Sequence, residues 1–202
     1  MKIGPIHPPA GGGSGARMFM GEIPSIRSHM AKSDSFFIRA TVTAAGTSFN
    51  QAEIDLGSFV NLGVKSSTLL RIHNIQADYK DASDPGAYIY YDGGIPGAQV
   101  LWQLTTQSQS DMIYAEDKSY VSGGSMKQAS TTGNLVQNSD DTVNLNPQEW
   151  TQGYLVGVDS MFIGAQSSGT WDTGDIRVDL VLECTLETAT QASATALALS
   201  QQ

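Results

Sequence analysis

The chain has 202 residues, 40% of them hydrophobic, which suits one large β-sandwich with a full core better than two small domains. Only 15% of residues are charged and the net charge is -9, so the body is a poor binder of nucleic acid, whose phosphates demand clustered Lys and Arg. A single cysteine, Cys184, excludes a disulfide scaffold within the chain, and no stretch approaches a signal peptide or the roughly 20 apolar residues of a membrane span.

Residues 1 to 34 form a Pro/Gly/Ser-rich arm with no independent fold expected. It carries Lys2, Arg17, Arg27 and Lys32 against Glu22 and Asp34, a balance of +2, while the remainder holds 7 basic and 18 acidic residues. Met18, Phe19 and Met20 make an apolar patch, and Ile23, Pro24 and Ile26 follow it as points that could anchor the arm on a neighbouring subunit. The plainer alternatives are a disordered leader or, at Ser28-His29-Met30, a cloning remnant.

Strands begin at Ser35. SFFIRATVT places Phe36, Ile38, Ala40 and Val42 on one face, and QAEIDLG points Ala52, Ile54 and Leu56 inward. The two read as neighbouring strands joined by the turn-rich AAGTSFN. STLLRIHNIQADY is β-prone, but its alternation changes phase between Leu70, Ile72 and Ile75, which predicts a β-bulge or a strand shared by two sheets. DASDPG is a turn, and AYIYYDGGIPG reads as a short strand and a second turn. Val100, Trp102 and Leu104 alternate in the next strand.

Residues 108 to 150 are polar and irregular, with short strands expected at Met112 to Ala115, Tyr120 to Met126 and Thr142 to Leu145. Asn146 to Trp150 reads as a loop or a single helical turn, ahead of GYLVGVDSMFIG, a strand apolar on both sides and so placed centrally. The clearest segment is DIRVDLVLECTLE, in which Ile176, Val178, Leu180, Leu182, Cys184 and Leu186 alternate with mostly charged or polar residues. That period of two fits a long half-buried strand and no helix. The Ala-rich tail TATQASATALALSQQ suggests a short helix or a tail docked on a neighbour, with Leu197 and Leu199 as contact points.

About eight to ten strands, regular turn signals and almost no helix give an all-β chain: a jelly-roll β-sandwich of about eight strands over 35 to 187, between the arm and a tail over 188 to 202. Long loops around 106 to 111 and 128 to 141 argue against an up-and-down barrel.

Chemistry has little material. His7 and His29 lie in the arm, leaving His73 as the one imidazole of the body, and no nucleophile elbow, P-loop, dinucleotide fingerprint or zinc-protease motif is present. No catalytic residue is expected. Asp78, Asp81 and Asp84 gather in a loop and are the better candidates for a structural Ca²⁺, ahead of Asp140 with Asp141 and Asp172 with Asp175. Aspartate is also the ordinary turn residue, because its side chain caps nearby backbone. Tyr88, Tyr90, Tyr91, Trp102, Trp150 and Trp171 could build a sugar-stacking platform, although aromatic residues of alternating strands more often pack in cores or interfaces.

The apolar-dotted arm before SFFIRATVT, the low-charge body of long alternating strands, GYLVGVDSMFIG and DIRVDLVLECTLE near the end, and the short tail together resemble a single jelly-roll viral coat protein. The resemblance covers residues 35 to 187 as architecture, without a diagnostic motif, and lies nearest in style to major capsid proteins of tailless icosahedral viruses of archaea and bacteria. It implies a non-enzymatic structural protein of the virion, made in the host cytoplasm, whose partners are copies of itself, other capsid proteins and an internal membrane. The +2 arm departs from the Arg- and Lys-dense arms of coat proteins that touch the genome, so strong direct binding to nucleic acid is not expected. The rival from another class is a carbohydrate-binding sandwich, a virion spike or adhesin domain, which requires an exposed aromatic row beside the acidic loops.

Overall fold

The computed structural model describes residues 34–63, 66–91, 94, 96–130, 136–143 and 146–202. Met18, Phe19, Met20, Ile23 and Ile26 lie outside the described residues. Nine strands are described: β1 (Phe36–Ala44), β2 (Asn50–Asp55), β3 (Ser66–Asp81), β4 (Gly97–Thr105), β5 (Tyr120–Ser130), β6 (Val136–Val143), β7 (Tyr154–Val156), β8 (Ser160–Ser168) and β9 (Ile176–Thr190). One helix, α1 (Gln191–Ser200), follows β9, and a single 3-10 turn spans Pro147–Glu149.

Two antiparallel sheets face each other. One has the order β1-β9-β3-β7 and the other β2-β8-β4-β5-β6. Successive strands therefore alternate between sheets at β1 to β2, β2 to β3, β3 to β4 and again at β7 to β8 and β8 to β9, which is the double Greek key of a jelly roll, with β6 added as a fifth strand to the second sheet. The core between the sheets is built from the inward residues of these strands, among them Leu70, Ile72 and Ile75, Val100, Trp102 and Leu104, and Ile176, Val178, Leu180 and Leu182, none more than 1% exposed. Each such aliphatic side chain stabilises the fold by roughly 1.5–3 kcal/mol relative to exposure.

The phase change in β3 is a bulge. Ile72 faces Cys184 and Asn74 faces Glu183, so His73 is the extra residue, and its insertion brings Ile75 back to the core face occupied by Leu70 and Ile72. Beyond the short β7, the side-chain amide of Gln148 meets the backbone of Ile75, accepting from its N–H and donating to its carbonyl, both at 3.3 Å. At Gly153 the backbone has φ +64°, and a Cβ there would sit 2.2 Å from the Ile72 carbonyl oxygen, so the chain entering β7 passes where only glycine fits.

Several expectations are corrected. β1 and β2 are not paired: β1 pairs with β9 and β2 with β8, and AAGTSFN crosses from one sheet to the other. GYLVGVDSMFIG is two strands, β7 at an edge of one sheet and β8 between β2 and β4 of the other. Its apolar residues point both ways because the chain changes sheets at Gly157–Asp159, where Leu56 donates its N–H to the Asp159 carbonyl over 2.8 Å. AYIYY forms only a single bridge, Tyr91 to Trp171, and Met112 to Ala115 forms no strand. Of the strand placed at Thr142 to Leu145, Thr142 and Val143 end β6, which starts earlier, at Val136, and residues 144 and 145 lie outside the described residues. β9 runs three residues past Glu187, and the Ala-rich segment after it is helical.

Candidate functional site: the rims and outer faces of the sandwich

One rim of the sandwich is closed by the turn after β1, the loop between β3 and β4, and the loop between β8 and β9. Asp175 joins them: its carboxylate accepts from Gly46 N–H at 3.1 Å and its carbonyl from Ala82 N–H at 3.0 Å. Trp171 and Tyr91 plug the gap between the sheets, 6% and 7% exposed, and the Trp171 indole donates to Ser167 Oγ over 2.7 Å.

Of the aspartates considered for calcium, Asp81, Asp84 and Asp175 lie at this rim and hold backbone. Asp81 Oδ1 accepts from Ser83 N–H, Ser83 Oγ–H and Asp84 N–H, at 2.7, 2.6 and 2.8 Å, while Asp84 Oδ1 accepts from Gly86 N–H at 2.9 Å. The Ser83 hydroxyl, then the two amides, hold the Asp81 carboxyl below its ordinary value. Asp78 points outward and pairs with Lys80 at 3.4 Å. Among the described residues no three His, Cys, Asp or Glu side chains come together as a metal-ligand set.

The six aromatic residues do not form one platform. Trp102, Trp171 and Tyr91 belong to the core, whereas Tyr88 and Tyr90 are exposed beside Asp84. Trp150 lies elsewhere, against Tyr154 at 5.7 Å between ring centres.

The opposite rim is tied together by Gln201. Its side chain, 4% exposed, accepts from Gly157 N–H at 2.9 Å and donates to Tyr154 Oη and the Leu155 carbonyl at 3.1 and 2.7 Å. Its own carbonyl accepts from Thr106 Oγ at 2.7 Å. Elements of both sheets thus meet at the end of α1. The helix starts where Thr190 Oγ1 accepts from Ser193 N–H, buries Ala194 and Ala198, and lays Leu197 against Gly157. Leu199 stands out from it, 65% exposed.

On the outer face of the first sheet, near α1, the Arg71 guanidinium donates twice to the Glu187 carboxylate, at 2.5 and 2.7 Å, and once to the Gln152 carbonyl at 2.7 Å. Beside them His73 Nε2 meets Thr185 Oγ1 at 2.8 Å. The pair lies under the start of α1 with Leu69, Leu155 and Ser193 around it. Sequence reasoning missed this layer because strict alternation places Glu187 and Thr185 in water, whereas Arg71 and the start of α1 lie against Glu187 and His73 bonds to Thr185. Cys184 faces the core, and burial, then the neighbouring Glu183, push its thiol up to about 12. Farther along the same outer face Phe37 is 56% exposed, the largest apolar side chain standing out from a strand among the described residues.

No family model and no curated protein matches this chain. Solved structures do. The chain is similar to VP1 of Trichodysplasia spinulosa-associated polyomavirus, solved in complex with GM1 oligosaccharide, at 8% identity and a TM-score of 0.49, covering 80% of this chain and 98% of that one. It is similar to VP1 of human polyomavirus 12, solved with 3'-sialyllactosamine, at 9% identity and a TM-score of 0.41, over 77% of this chain and 99% of that one. A chain of desmodium yellow mottle tymovirus matches at 9% identity and a TM-score of 0.34, over 94% of this chain and 95% of that one. The jelly-roll assignment itself rests on the strand order.

Proposed function

We propose that this chain is a viral capsid protein, a building block without catalysis of its own that self-assembles into a closed icosahedral shell. The observation that carries the reading is the strand order β1-β9-β3-β7 over β2-β8-β4-β5, a frame used recurrently for shells and lectins, and the inference runs by analogy of fold. The aromatic residues favour the shell over the lectin, since half of them are spent in the core.

The physical task in this reading is geometric. Both rims are closed by hydrogen bonds through Asp175 and Gln201, so the sandwich meets its neighbours as a rigid body. A shell repeats each contact many times, and each can be individually weak; a standard interface of about 1,600 Å² suffices when its core is apolar. Phe37 and Leu199 are exposed apolar points of the described body for such contacts, alongside the exposed aromatic residues Tyr88, Tyr90, Tyr114 and Trp150. The arm residues Met18, Phe19, Met20, Ile23 and Ile26 belong to the proposal as sequence, adding area at the cost of ordering the segment. With a net charge of -9, direct neutralisation of a genome is left to another protein or to a membrane beneath the shell. No cofactor enters this reading, and the protein's place is the virion.

The test is the mass of purified full-length protein by light scattering, with negative-stain images. Closed particles of megadalton mass are expected. A monomer or trimer at every concentration overturns the reading. Removal of residues 1 to 34 is expected to leave a folded body that assembles poorly.

A further inference from the structure

The outer face of the first sheet carries an ordered pattern of charge. The register of β1, β9 and β3 aligns their outward residues in transverse rows. Row one is Thr43, Arg177 and Lys80; row two is Thr41, Asp179 and Asp78; row three is Arg39, Val181 and Gln76; row four is Phe37, Glu183 and Asn74. Successive rows lie two residues apart, about 6.8 Å along the strands.

The signs of these rows run plus, minus, plus, minus. Like charges face each other within rows, Arg177 opposite Lys80 and Asp179 opposite Asp78, an arrangement that destabilises an isolated sheet. Ion pairs along each strand, Arg177 to Asp179 at 2.8 Å and Lys80 to Asp78 at 3.4 Å, relieve part of it. Arg39 and Glu183, the charges of rows three and four, make no ion pair among the described residues.

A sequence of rows reading plus, minus, plus, minus becomes its own complement when reversed. A twofold axis lying in the face, parallel to the rows and midway between rows two and three, sets row one of one copy on row four of the other and row two on row three. Each positive row then lies over a negative one, and column by column Arg177 falls on Glu183, while Arg39 falls on Thr41, Asp179 on Val181 and Asp78 on Gln76. An axis along the strands would set each row on its like. Such self-complementarity is the signature required of an isologous contact, in which the same patch serves both partners. The same rotation covers the exposed Phe37 with the Thr43 end of the second copy's first row, removing apolar area from water.

We propose that this face is the contact of an isologous dimer of the chain, two copies packing sheet to sheet with strands antiparallel. The proposal rests on the self-assembly reading above and names one of its contacts. The column of β9 supplies the decisive pair, Arg177 of one copy with Glu183 of the other, made twice.

The test is charge exchange in the full-length chain. Arg177→Glu and Glu183→Arg are each expected to weaken dimerisation about tenfold by sedimentation velocity, because each creates two symmetry-related repulsions. An equimolar mixture of the two variants is expected to associate as the parent does, since each new charge then meets its complement, and the dimer is expected to weaken as salt rises. Circular dichroism verifies that both variants fold. Unchanged dimerisation in the single variants, no recovery on mixing, or a monomeric parent overturns the proposal. Particles forming normally from both variants overturn this face and leave the shell standing, whereas dimers rescued by mixing, without particles, support the face and sink the shell.

Discussion

The indole N–H of Trp102 on β4 donates to the phenol oxygen of Tyr79 on β3 over 3.0 Å, a side-chain hydrogen bond that crosses the core from one sheet to the other. Both residues are buried, and Gly124 on β5 leaves the space in which the indole lies: a Cβ at Gly124 would come within 2.6 Å of Trp102 Nε1. A polar contact and a missing side chain together position the largest residue of the core.

Tyr79→Phe removes the acceptor and leaves a buried indole N–H unpaired, so a loss of about 1–3 kcal/mol is expected in urea unfolding. Gly124→Ala forces a rigid ring to move and is expected to cost about 1–3 kcal/mol by overpacking. A change below about 0.5 kcal/mol in both variants would contradict the described packing of Trp102.

Much of this architecture is visible in the residues before any coordinates. Alternation in SFFIRATVT, around Trp102 and in DIRVDLVLECTLE marks the faces of β1, β4 and β9, because burial imposes a period of two wherever one side meets the core. The phase break at His73 marks the bulge for the same reason. Pairing partners are hidden, since alternation reports which face a residue takes and not which strand lies beside it. Hence β1 and β2 read as a hairpin although they lie in different sheets, and β7 and β8 read as one strand. The charge rows are hidden for the same reason: Asp78 and Asp179 become neighbours only through register. The calcium candidates Asp78, Asp81 and Asp84 come from a count of carboxylates, and no count reveals that Asp81 and Asp84 accept from loop backbone.

Arg71 and Glu187 form an ion pair whose side chains are 13% and 9% exposed. Removing one partner leaves the other charge poorly solvated, so Glu187→Leu or Arg71→Met is expected to cost about 3 kcal/mol in chemical denaturation. The double variant R71M/E187L is expected to recover more than half of that loss, because neither desolvated charge remains. A double variant as unstable as the sum of the singles would show that the two residues act separately.

Cys184 is buried, with its thiol donating to the Leu182 carbonyl at 3.7 Å and its pKa pushed up to about 12. Thiolate, the reactive species, is therefore scarce at pH 8, and access is closed by the core. Ellman's reagent is expected to find no thiol in the native protein at that pH and one per chain in denaturant. Fast labelling of the native protein would place the thiol in solvent.

Asp81 and Asp117 both cap backbone in loops, and both carboxyls are held below the ordinary aspartate value, chiefly by the hydroxyls of Ser83 and Ser119. A carboxyl so lowered takes up its proton less readily in the folded state than in the unfolded one. As the pH falls below about 4, the unfolded chain gains protons first, so the stabilisation present above that pH is lost as the pH drops through the folded-state values. Asp81→Asn keeps an acceptor oxygen but removes the charge. The melting temperature of D81N is expected to lie below that of the parent at pH 7, and the two are expected to converge as the pH is taken below about 4. A gap of constant size across that range would mean that the charge of Asp81 contributes nothing to the rim.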